Sequence, residues 1–140
     1  MISRARWLAI AILAWTAITW GGRIGLLTQG DDWADVARIG GSLVVGLAAA
    51  GVLLFPGRWA GGRIVLYLFS AWTTVVWARS LVVNWAGSGS LAFKLVHTVL
   101  GVGFFALAYW AWSLARRGAI AGPDQADGDE ERDREASGIA

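Results

Sequence analysis

Apolar residues run almost unbroken through four stretches, about Trp7–Thr28, Trp33–Phe55, Arg63–Ala86 and Leu91–Leu114. Short polar or glycine-rich segments separate them. Each stretch supplies the roughly 20 residues that a helix needs to cross about 30 Å of hydrocarbon. None alternates with the period of two expected of a barrel strand. The expected fold is an all-α integral membrane protein with four transmembrane helices in an antiparallel bundle, because such short linkers turn each helix back on the one before.

The linkers carry stop and start signals. Gln29-Gly30-Asp31-Asp32 is polar, and Asp32 and Asp35 suit the N-terminal dipole of the second helix. Pro56-Gly57-Arg58-Trp59 reads as a turn. Gly87-Ser88-Gly89-Ser90 is flexible, with Ser90 placed to cap the fourth helix. From Gly118 the apolar runs stop and Gly122-Pro123 breaks any continuing helix. Residues 118–140 are therefore expected to form an acidic, disordered cytoplasmic tail, and residues 1–117 the membrane domain. A tail that docks on a basic partner is the sharper alternative.

Composition supports the membrane reading. Hydrophobic residues make up 56% of the chain and charged residues 16%, against about 45–50% and about 25% in soluble domains. The formal charge of +2 hides a split. Residues 1–117 hold ten basic and three acidic side chains, +7, whereas residues 118–140 hold two basic and seven acidic ones, −5. The basic start, Met1–Arg6, resembles a signal-peptide n-region, but the apolar run that follows is too long and has no clean cleavage site. An uncleaved first helix is expected. Arg4, Arg6, Arg58, Arg63, Arg116 and Arg117 fall at one set of helix ends and predict that both termini are cytoplasmic in a plasma membrane of bacterial type. Tryptophans near the span edges form the expected aromatic belt, and Trp15, Trp72 and Trp77 lie deeper, as packing residues.

Candidate chemistry is sparse. Cysteine is absent, which excludes disulfides, thiol catalysis and cysteine-held metals. A single histidine makes no multi-histidine metal site, and no cofactor is expected. No Asp or Glu lies deep in a span, so an acidic transport site is lacking. There is no phosphate loop, and Ser42 or Ser80 with His97 lacks the third group and nucleophile elbow of a hydrolase. The expectation is that the chain is not an enzyme.

One set of residues stands out. Arg23, Arg38, Arg79 and Lys94 each sit toward the same predicted end of their helices, with His97 nearby. Together they form a candidate rim for an anion or an anionic lipid headgroup. The competing reading is that these bases snorkel to the interface or pair with Asp31, Asp32 and Asp35. Arg79 lies about 10 Å from the end of its helix. It projects away from the polar stripe of Ser70, Thr73, Trp77, Ser80 and Asn84, which favours snorkelling. Gly21, Gly25, Gly41, Gly46 and Gly101 are candidate helix-packing positions, where a missing side chain lets backbones approach. A shift of 56 residues lays Arg23 on Arg79, Arg38 on Lys94 and Ser42 on Thr98, a spacing consistent with a duplicated hairpin or with chance.

The role expected from these features is that of a non-catalytic accessory or assembly partner in the lipid bilayer. The candidate partners are another membrane protein or further copies of itself in a homo-oligomer, and no nucleic acid. The alternatives are a channel or binder for small anions or anionic headgroups, and a holin-like pore former.

Overall fold

A computed structural model describes residues 3–21, 33–58 and 61–117 of the chain, with the side chain of Asp35 set aside. Among them are four helices: α1 (Arg4–Trp20), α2 (Trp33–Leu54), α3 (Gly62–Ala86) and α4 (Leu91–Arg116). The described ends of α2, α3 and α4 lie within two residues of the predicted spans. Three helices are long and apolar enough to cross a membrane, over Val36–Leu54, Gly62–Ala86 and Leu91–Arg116. The described part of α1 has 17 residues and extends about 25 Å. The expected tail, the first linker and the residues Arg23, Gly25, Asp31 and Asp32 lie outside the described residues.

Local chemistry sets the helix ends. Ser3 caps α1 by accepting from the Arg6 amide at 3.4 Å. Ser90 caps α4 in the same way, accepting from the Phe93 amide at 3.3 Å, as its position predicts. After α2 the Arg58 amide donates to the Phe55 carbonyl at 3.3 Å. Pro56 and Gly57 occupy the two central positions of that turn, and Gly57 has φ of 83°. This is the type II pattern, in which proline presets the second residue and glycine supplies the positive φ at the third.

Each helix packs on its neighbour in the chain, and α1 closes on α4. The core joins Leu8 and Ile12 of α1, Val52 and Leu53 of α2, Leu66 and Phe69 of α3, and Phe104 and Ala111 of α4. Large apolar side chains also cover the outside, among them Ile18, Val44, Ile64, Val82 and Val99. In water such a surface is a liability. Against lipid tails it has no such penalty, and the helices are then held by close packing and hydrogen bonds.

Glycine notches supply that packing at all four helix contacts. A Cβ at Gly46 of α2 would stand 3.1 Å from Thr16 Oγ1 of α1. One at Gly41 would stand 2.6 Å from the Trp72 ring of α3, and one at Gly101 of α4 would lie 3.2 Å from both Trp77 and Leu81 of α3. At Gly103 of α4 it would fall inside the Trp15 ring of α1. Gly21 caps α1 and is exposed, and among the described residues a Cβ there meets nothing within 4 Å. Gly103 is not among the candidate packing positions, and Val99 and Leu107 stand four residues to either side of it.

The deep tryptophans fill these notches. Trp15 donates its indole N–H to the Leu100 carbonyl at 3.2 Å. Trp72 donates to Ser42 Oγ at 3.2 Å. Trp77 is buried, with its ring 5.0 Å from Phe104 in a stacked arrangement and 6.4 Å from Trp20. Ser70 Oγ lies 2.8 Å from the carbonyls of both Leu66 and Ala108, so its one proton serves either its own helix or α4.

Candidate functional site

The start of α2, the last turns of α3 and the start of α4 surround a cavity of about 190 Å³. Arg38, Arg79, Ser80, Asn84 and His97 line it, together with the apolar walls of Val83 and Phe93. Two arginines, a histidine, an asparagine and a serine thus come from three helices to one small space.

The sequence reading sent Arg79 away from Ser80 and Asn84, yet all three line this cavity. The reason is helical geometry. Residues 79, 80, 83 and 84 are i, i+1, i+4 and i+5, which form one contiguous patch on a helix. Val83 fills the gap between the arginine row and the polar row. The Arg79 side chain itself is exposed, and Ser80 and Asn84 are half-buried beside it.

His97 is buried. Its Nδ1 lies 2.9 Å from the Phe93 carbonyl. A carbonyl only accepts, so Nδ1 carries a proton and the ring orientation is fixed. The Phe93 ring packs on the imidazole with centroids 4.0 Å apart. Histidine and phenylalanine therefore form one wall, held by the first turns of α4.

Lys94 is not among the lining residues. Its Nζ donates to the Trp85 carbonyl at 3.2 Å and lies 5.9 Å from the centre of the Trp85 ring. It thereby closes the C-terminal end of α3, where a cation and a hydrogen-bond donor both suit the exposed carbonyls. Of the rim residues, Arg38, Arg79 and His97 line the cavity, Lys94 serves the α3 end, and Arg23 lies outside the described residues.

The aligned hydroxyls of the proposed duplication behave alike. Ser42 Oγ donates to the Arg38 carbonyl at 2.7 Å and accepts from Trp72. Thr98 Oγ1 donates to the Lys94 carbonyl at 2.8 Å and accepts from the Trp85 indole at 3.1 Å. In both places a hydroxyl passes an indole N–H on to the carbonyl of the basic residue one turn earlier.

Among the described residues no three metal-ligating side chains come together. The cavity offers mostly donors of the kind that meet oxyanions: planar guanidiniums able to grip two oxygens, an amide N–H₂ and a hydroxyl. In comparisons with protein-family models, characterised proteins and solved structures, nothing matches this chain.

Proposed function

We propose that this chain is a four-span antiparallel membrane bundle that holds a phosphate-like oxyanion, free or as a lipid headgroup, between Arg38 and Arg79. The observation that carries the reading is that arginines from two helices line one cavity together with Ser80, Asn84 and His97. Arginine is the side chain best shaped for two-point contact with an oxyanion. A role as assembly partner has no such group of side chains behind it.

The antiparallel arrangement has support of its own. Arg63, at the start of α3, donates from Nε to the Ala115 carbonyl at the end of α4, at 3.1 Å. Lys94, at the start of α4, reaches Trp85 at the end of α3. In this proposal α1 is the fourth span, both termini are cytoplasmic and the cavity opens toward the outer face of a plasma membrane. Basic residues at the opposite helix ends support that orientation. A reporter fused after Arg117 should read as cytoplasmic and one placed within Gly87–Ser90 as external; the reverse result would invert the site.

Ligand binding is tested on purified protein in neutral detergent. Inorganic phosphate should raise the unfolding midpoint in a concentration-dependent way, by about 2.7 kcal/mol of stability at 100 times its Kd. Arg79→Gln and Arg38→Gln should abolish the response, and Arg79→Lys should weaken it because lysine lacks the two-point fork. Short-chain phosphatidylglycerol, added below its micelle concentration, should compete with phosphate if headgroups are accepted. Phosphate flux in liposomes would show that the ion passes through rather than stays. Folded Arg79→Gln protein with an unchanged phosphate response would refute the site.

A further inference from the structure

A second concavity lies at the other end of the same helix pair. It is a groove of about 560 Å³ between α3 and α4, in the size range of a small-molecule site. Ala71, Val75, Phe105 and Ala108 line it, and so do Tyr67 and Tyr109. These are the only two tyrosines in the chain. Trp112 closes one end. Along α3 the lining runs from Tyr67 to Val75, about 12 Å of helix.

The groove has a direction. Toward mid-helix its walls are mainly alanine, valine and phenylalanine, with the hydroxyls of Ser70 and Thr74 among them. Toward the helix ends it acquires phenolic hydroxyls and an indole, the amphipathic groups that settle at the level of lipid headgroups. Beyond Trp112 comes charge. The Arg116 guanidinium sits 4.7 Å over the Trp112 ring, and Arg63 is fastened to the Ala115 carbonyl one residue away. Ala71, Tyr109 and Trp112 are exposed, so the groove opens on the surface that faces the bilayer.

We infer that this groove holds one anionic membrane phospholipid, with an acyl chain against Ala71, Val75 and Phe105 and its phosphate at Arg116. Both halves of the argument are needed. An apolar trough alone would accept any hydrocarbon. An arginine over the Trp112 ring adds a cation where the phosphate of a lipid in that trough would lie. The site is distinct from the Arg38–Arg79 cavity, which lies at the opposite ends of the same two helices and takes in α2.

The chain is tested in nanodiscs of equal parts phosphatidylcholine and phosphatidylglycerol, then released into mild detergent and weighed by native mass spectrometry. The wild type should retain one phospholipid, with phosphatidylglycerol exceeding its half share severalfold. Ala71→Phe fills the groove from an exposed position and should remove the retained lipid; Val75→Phe does the same if Ala71→Phe folds poorly. Arg116→Ala should keep a lipid but lose the preference for phosphatidylglycerol. Two results overturn the inference. One is a lipid that survives both groove-filling variants but is lost in Arg79→Gln, which places it in the other cavity. The other concerns a second copy. The chain is cysteine-free, so Ala71→Cys provides a clean probe, and efficient disulfide dimers in the membrane would mean that another protomer fills the groove.

Discussion

Gly103 offers the sharpest test of how these helices are held. A methyl group there would overlap the Trp15 ring, whose indole N–H is committed to the Leu100 carbonyl at 3.2 Å. The ring must move, and it cannot move without lengthening that hydrogen bond. Overpacking a tight site costs about 1–3 kcal/mol. An interhelical hydrogen bond within a membrane contributes about 0.6 kcal/mol on average. Against these, Gly→Ala in a helix gains up to about 1 kcal/mol of helix propensity. Gly40 removes that last term from the comparison. It is helical too, and among the described residues a Cβ there meets nothing within 4 Å. Both substitutions collect the propensity gain, so their difference isolates the notch: Gly103→Ala should be less stable than Gly40→Ala by about 1.5–3.5 kcal/mol.

The assay is reversible unfolding in mixed micelles with increasing denaturing detergent, followed by tryptophan fluorescence. Trp15→Phe supplies the coupling test, because it removes the indole atoms nearest the added methyl. In that background Gly103→Ala should cost much less, with a coupling energy within the roughly 0.5–3 kcal/mol typical of residues in contact. Equal stability of Gly103→Ala and Gly40→Ala would refute the reasoning. So would a Gly103→Ala penalty that persists undiminished beside Trp15→Phe, since the cause would then lie elsewhere than in the indole.

Three further outcomes follow from named contacts. Among the described residues Thr16 Oγ1 has no hydrogen-bond partner, and Thr16 is 5% exposed; Thr16→Val keeps the shape and should leave stability unchanged or raise it, by up to about 1–3 kcal/mol, whereas a clear loss in the same unfolding assay would show that the hydroxyl is bonded. Trp77→Ala removes a buried ring stacked on Phe104 and should lower stability by about 3–5 kcal/mol, read as a shift in unfolding midpoint. Lys94→Ala should lose about 0.3–1 kcal/mol at the α3 end yet leave the phosphate response intact; a lost response would return Lys94 to the site.

Hydropathy and turn chemistry made the helices legible. Long apolar runs, Pro56-Gly57 and the cap at Ser90 are local signals, and the described helices follow them. Glycine packing was legible only in part. Gly41, Gly46 and Gly101 sit in notches, but among the described residues nothing meets a Cβ at Gly21, and Gly103 is not among the candidate positions. Small-residue spacing names the positions where a backbone can approach, whereas only the partner helix decides whether a tryptophan arrives there. Trp15 reaches Gly103 from 88 positions away in the chain, beyond any local pattern.

The candidate site shows the same limit at the level of one side chain. Depth along the axis is fixed by counting residues, so the cationic level at Arg38, Arg79 and His97 could be read without a partner helix. Direction around the axis could not. A vector leaving the Arg79 Cα points far from Ser80 and Asn84. A long side chain is better treated as a reach than as a vector, and the i, i+1, i+4, i+5 patch through Val83 brings Arg79 within reach of the polar row. This also separates the two readings of Arg79. A guanidinium that merely snorkels needs only length and a charge, both of which lysine keeps. One that shares an oxyanion with Arg38 needs the planar fork, which lysine lacks. Arg79→Lys should therefore retain the wild-type unfolding midpoint without phosphate and lose most of the midpoint shift with it. If both quantities match the wild type, Arg79 is only a snorkelling residue and the cavity is not an oxyanion site.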